Sequence, residues 1–174
     1  MPHRTFDGQN CSIARALEVV GERWTLLVLR EVFSGRSRFA DIQASLGVAT
    51  NLLTARLRTL VDAGVLESRT YQEPGSRSRQ SYHLTKAGKD LRLILAALQQ
   101  WGDVYRPRPS GPSALRRTRP DGRPVHVAFV TDDGDEVPGS EVMFLAADGS
   151  QDAAPAGNRA TQRGHAPETE TGSR

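Results

Sequence analysis

The chain has 174 residues, one cysteine and a hydrophobic fraction of 37%, low against the roughly 45–50% (glycine included) of an ordinary packed domain. That length holds one domain plus an appendage, too little for two full-sized cores. A lone cysteine excludes a disulfide framework and any multi-cysteine zinc site. No apolar run reaches the ~18 residues of a membrane span, and the opening MPHRTFDGQN has no apolar signal core. A soluble, cytoplasmic chain without a membrane partner is expected.

Charge divides the chain near Arg106. Residues 1–106 carry 15 Lys/Arg against 10 Asp/Glu, whereas residues 107–174 carry 8 against 10 and hold eight of the ten prolines. A basic compact segment followed by a proline-rich, mildly acidic one suits a polyanion-binding domain with an extension.

The first 106 residues read as a series of helices and a hairpin. Ile13, Ala16, Leu17 and Val20 recur at helical spacing, so residues 12–20 form an amphipathic helix, capped by Ser12 and stopped at Gly21. Residues 24–33, WTLLVLREVF, are apolar almost all round, as in a helix buried at a domain centre. After the turn Ser34-Gly35-Arg36-Ser37, a short third helix spans residues 38–45 with Phe39, Ile42 and Leu46 on one side. A turn at Gly47-Val48-Ala49 leads to a fourth helix over residues 50–63, ended by Gly64.

There the period changes. Residues 65–71 read as a strand, QEPGSRS as a turn and residues 79–84 as a returning strand, so Arg77 and Arg79 sit at the hairpin tip. Thr85 caps a long fifth helix reaching Tyr105. The predicted fold is α+β and mainly α: a winged helix-turn-helix with a long C-terminal dimerisation helix.

On the fourth helix Leu53, Leu57, Leu60 and Val61 fall within about 100° of arc. Asn51, Thr54, Ala55, Arg58 and Thr59 lie opposite, with Thr50 at the start of the helix and Asp62 the only acid, at its far end. A small, polar, acid-poor face suits a DNA major groove. Asn pairs with adenine and Arg with guanine through two hydrogen bonds each, and Thr and Ala methyls meet a thymine methyl. Arg38, Arg56, Arg58, Arg77 and Arg79 are the cations around this groove. Arg58 is the base reader; Arg77 and Arg79 meet phosphates or a minor groove. Arg56 lies nearer the buried side and suits a structural ion pair as well as a phosphate.

Ordered stretches of residues 11–106 resemble the HxlR family of bacterial transcription regulators, a branch of the MarR-like winged-helix proteins. They are Cys11-Ser12-Ile13-Ala14-Arg15-Ala16-Leu17, Gly21-Glu22-Arg23-Trp24-Thr25-Leu26-Leu27, Gly35-Arg36-Ser37-Arg38-Phe39, Leu52-Leu53-Thr54-Ala55-Arg56-Leu57, Gly64-Val65-Leu66, Tyr82-His83-Leu84-Thr85-Lys86-Ala87-Gly88 and Trp101-Gly102. The resemblance implies a homodimer on double-stranded DNA at a roughly two-fold symmetric operator. Ala49 stands where the family often has Ser before the recognition helix, so Thr50 is expected to supply the cap oxygen.

Cys11, just before the first helix and one turn from Arg15, is a redox-sensing candidate, because helix N–H groups and a nearby cation favour a thiolate. Some relatives sense oxidants or electrophiles at the matching position, and the opposite reading is a small structural residue. In the fifth helix Leu91, Ile94, Leu95, Leu98, Trp101 and Tyr105 repeat about every 3.5 residues, a seam suited to a partner helix or to the chain's own core.

The domain plan is residues 1–106 as the DNA-binding domain and 107–123 as a Pro/Arg-rich linker. Residues 124–145 follow as a small β-hairpin extension, and 146–174 as a disordered tail. The turn Asp132-Asp133-Gly134-Asp135 lacks calcium-loop spacing. His3, His83, His126 and His165 are scattered and no phosphate loop occurs, so neither catalysis nor a metal or other cofactor is expected. Two alternatives remain: a winged-helix protein-interaction module without specific DNA binding, and a DNA-binding regulator sensing a small molecule in its dimer crevice with Cys11 silent.

Overall fold

The computed structural model describes residues 11–145, in two compact units that divide at Val127 and Ala128. The first unit begins with α1 (Ser12–Val20), α2 (Arg23–Phe33), α3 (Phe39–Leu46) and α4 (Thr50–Asp62). The antiparallel hairpin β1 (Leu66–Tyr71) and β2 (Arg79–Leu84) follows, then α5 (Lys86–Asp90) and α6 (Arg92–Tyr105). Its core joins Val28, Leu29 and Val32 of α2 to Ile42, Leu53, Leu57 and Leu60, closed by Val65 and Leu66 at the foot of the hairpin. Each such side chain contributes about 1.5–3 kcal/mol on full burial. The α2 segment is the central helix that its all-round apolar composition predicts.

The hairpin register runs from Leu66↔Leu84 to Tyr71↔Arg79. Arg38 forms an isolated bridge with Ser81, and Tyr82 N–H donates to the Ser37 carbonyl at 2.7 Å, so the α2–α3 turn is tied to the wing. Gly47, with φ of +63°, closes α3 in the left-handed conformation that glycine adopts without a Cβ penalty.

Several local expectations are corrected. Ser12 does not cap α1: the N-cap is Cys11, without a side-chain bond, and Ser12 Oγ accepts from Arg15 Nη2 at 3.0 Å. The buried side of α1 holds Ala14 and Val20, while Ile13 and Leu17 face outward, so its apolar stripe is largely left uncovered. Thr50 is not the cap of α4. That position is Ala49, and the Thr50 hydroxyl instead accepts from Gln43 Nε2 at 2.9 Å, which also donates to Val48 O at 3.2 Å. A side chain from the preceding helix thus holds the turn.

The predicted fifth helix is two helices meeting at Leu91. Thr85 does cap the first of them, its Oγ1 accepting from Gly88 N–H at 3.1 Å. The same hydroxyl donates toward Gly64 O at 2.6 Å and Val65 O at 3.1 Å. Gly88 presses so closely on Val65 O that a Cβ there would lie 2.1 Å from it. Leu91 N–H then bonds Gly88 O at 3.2 Å, a tightened turn that lets α6 leave in a new direction.

Residues 107–127, read in the sequence as a linker and the start of a hairpin, belong to the first unit and lie along α6. Gln99 Nε2 donates to Ala114 O at 2.6 Å and Arg116 pairs with Asp103 at 3.1 Å. The Gln100 amide makes two bonds with the Val127 backbone, at 2.9 and 2.8 Å. In the second unit β3 (Phe129–Val130) and β4 (Glu136–Val137) pair around the acidic turn, followed by a 3-10 turn at Gly139–Glu141. Residues 142–145 form no strand, so the hairpin is shorter than expected. The predicted disordered tail lies outside the described residues. Among the described residues no helix is long and apolar enough to cross a membrane.

Candidate nucleic-acid interface

The α2-turn-α3-turn-α4 arrangement rests on one buried carboxylate. Glu31 is 2% exposed, at the inner end of α2. Arg30 donates to its Oε1 through Nε at 2.8 Å and Nη2 at 2.5 Å. Ser45 Oγ of α3 donates to Oε2 at 2.6 Å, and Arg36 from the turn pairs with the same oxygen at 3.0 Å. Burial alone would raise this carboxyl's pKa; the Ser45 hydroxyl and the two guanidiniums outweigh it and hold the pKa below the ordinary glutamate value. Glu31 therefore fixes α3 against α2 and, through the next turn, aims α4. The signal for it was a lone acid within WTLLVLREVF.

On α4, Leu53, Leu57 and Leu60 are buried, and Asn51, Thr54, Ala55 and Arg58 are exposed on the other side. The Thr54 hydroxyl donates to Thr50 O at 2.8 Å and that of Thr59 to Ala55 O at 3.1 Å. With their protons used inside the helix, these threonines offer a methyl and an acceptor oxygen outward. Asn51 Oδ1 accepts from Leu52 N–H at 2.9 Å, leaving its amide N–H groups as donors. Arg58 is highly exposed and faces Asp62 at 3.5 Å, a solvated pair worth about 0–1 kcal/mol and easily exchanged for another acceptor.

The other predicted cations are placed differently. Arg77, in the wing turn, and Arg79, at the start of β2, are both exposed, while the acids of the hairpin are engaged by other cations, Glu67 by Arg69 and Glu73 by Arg38. Arg38 pairs with Glu73 at 2.8 Å and lies over the Tyr71 ring at 4.9 Å, so its head packs along the wing. Arg56 is only 20% exposed, sits 3.9 Å from Glu22 and has a buried Nε without a hydrogen-bond partner. Of its two readings, the ion pair is the contact seen. Cys11 is exposed and its thiol is free. The Arg15 guanidinium bonds Ser12.

The predicted seam of α6 separates into two faces. Leu91 and Leu95 pack on the chain's own core, whereas Ile94, Leu98, Trp101 and Tyr105 are exposed, with Trp101 and Tyr105 ring centroids 5.4 Å apart.

Comparisons with known proteins agree with this architecture. The profile of the HxlR-like helix-turn-helix family matches residues 19–110. An uncharacterised HTH-type transcriptional regulator of Mycobacterium tuberculosis is 47% identical over 112 residues, covering 64% of this chain and 68% of that protein. The crystal structure of PA1607, a candidate transcription factor, aligns at 36% identity with a TM-score of 0.69, over 79% of this chain and 95% of that one. PA1374 from Pseudomonas aeruginosa, also a candidate transcription factor, aligns at 36% identity and 0.57, over 82% and 96%. The winged hairpin, the helix-turn-helix and these matches lead to one conclusion: the chain belongs to the HxlR-like helix-turn-helix family of transcriptional regulators.

Proposed function

We propose that the chain is a homodimeric, sequence-specific DNA-binding regulator, with α4 in the major groove and the wing on the backbone or minor groove. The observation that carries this reading is the exposed side of α4. It presents an amide, two threonines, an alanine and an exposed guanidinium, with no acid before Asp62. A merely solvated helix face commonly mixes both signs of charge. The exposed stripe of α6 supplies apolar surface for a second copy, and Ile13 and Leu17 of α1 are exposed as well. Two-fold pairing would set the recognition helices about 34–36 Å apart, one DNA turn. Cys11, free and exposed at the start of α1, is the residue through which oxidants would act, by mixed or intersubunit disulfide.

The test is a titration of reduced protein on its own upstream DNA against scrambled DNA, at two salt concentrations. Specific binding tighter by about 10³-fold or more supports the reading. Equal binding to both DNAs that vanishes with salt refutes it and favours a protein-interaction module. Loss of the oxidant response in Cys11→Ser supports the redox reading, and a retained response refutes it.

A further inference from the structure

The third side of α6 is neither core nor outward seam. It faces residues 107–127, and between that segment and the start of the helix lies an open cleft of about 560 Å³, within the ~300–1,000 Å³ usual for small-molecule sites. Leu93 and Ala96 of α6 and Leu115 and Val125 of the segment supply an apolar floor. Leu93 and Leu115 remain 64% and 66% exposed, so the floor is poorly covered.

The rim is basic. Lys89, Arg92, Arg116 and Arg117 line the cleft with Asp90 as its carboxylate, and His126 stands beside them. Asp90 is engaged by Lys86 at 2.9 Å, outside the cleft lining. Arg116 is held by Asp103, and Arg92 lies 5.1 Å from the centre of the Phe33 ring. The Arg117 backbone is bridged to Pro124, which steadies that wall. With Arg116 engaged by Asp103, Lys89, Arg92 and Arg117 around an apolar floor complement a ligand that is anionic at one end and apolar over the rest.

We propose that this cleft binds a small organic anion, a carboxylate carried on an apolar, ring-sized body. A bare inorganic anion would satisfy the arginines and leave the floor wet. None of the seam residues Ile94, Leu98, Trp101 and Tyr105 lines the cleft, so each chain carries its own, and the inference does not rest on the DNA-binding reading.

Isothermal titration of the full chain with 2-naphthoate at neutral pH tests it. Saturable binding at one molecule per chain is expected, weakened at least fivefold by Arg117→Gln and at least tenfold by Leu115→Asp, which sets a like charge beside the ligand. Both positions are exposed, so unchanged melting temperatures are expected for the variants. The proposal is overturned by absence of saturable binding, by both cleft variants binding as wild type, or by inorganic phosphate competing as well as naphthoate.

Discussion

Replacing Glu31 by Gln keeps the shape of the side chain and removes its charge. In the native protein the carboxylate receives two bonds from Arg30, one from Ser45 and a contact from Arg36. Hydrogen bonds to a charged group contribute about 1.5–3 kcal/mol each and neutral ones about 0.5–1.5, which for the three bonds bounds the loss at about 3–4.5 kcal/mol. Both guanidiniums are about half exposed and regain water when released, which brings the expected loss to about 1–2 kcal/mol. Urea unfolding at neutral pH should show it. The pH dependence separates this account from simple packing loss. Because the Glu31 pKa is lowered on folding, its contribution is complete above about 4.5 and fades as the pH falls through the lower folded value. The Gln variant has no such group, so the two stabilities should converge in acid. Equal stability at pH 7, or a gap that persists undiminished well below pH 4, would refute the reasoning.

Arg58→Ala should cost about 1–3 kcal/mol of operator binding and relax discrimination at one base pair, measured by titration on single-substituted sites; equal loss on every sequence would reassign it to a phosphate. Gly88→Ala would force a Cβ to 2.1 Å from Val65 O, and a loss of about 3 kcal/mol is expected in chemical denaturation. Thr85→Val removes both the α5 cap and the tie to Gly64 and Val65, for about 1–2 kcal/mol by the same assay. Trp101→Glu sets a charge in the outward seam at a side chain 56% exposed in the single chain. Light scattering should show a monomer with unchanged circular dichroism, whereas an unchanged mass would remove this face from the dimer.

Helix periodicity and turn residues were enough to place α2, α4 and the hairpin, because buried leucines at fixed spacing and glycines after helix ends are local signals. Of the caps, Thr85 was legible but those of α1 and α4 were not. Thr50 is a good cap residue by type, but its hydroxyl is used by Gln43, seven residues away, and only the folded turn brings them together. For α1, spacing identified an amphipathic helix but could not tell a side facing the core from one facing outward, since both need Ile13 and Leu17 to be apolar. Composition likewise marked residues 107–123 as linker-like. Their order comes from Gln99 and Asp103 on α6, and from Gln100 at the following Val127, partners that no property of the proline-rich stretch itself announces.

The junction at Thr85 and Gly88 sets a rule for exchanging specificity between relatives. The end of α4, the first residues of the wing and the start of α5 meet there through one hydroxyl and one glycine contact. A graft that swaps only α4 keeps this joint intact and should inherit the host's wing placement. One that swaps helix and wing together must carry residues 85–88 from the same donor, or the transplanted pair will be seated on a foreign hinge.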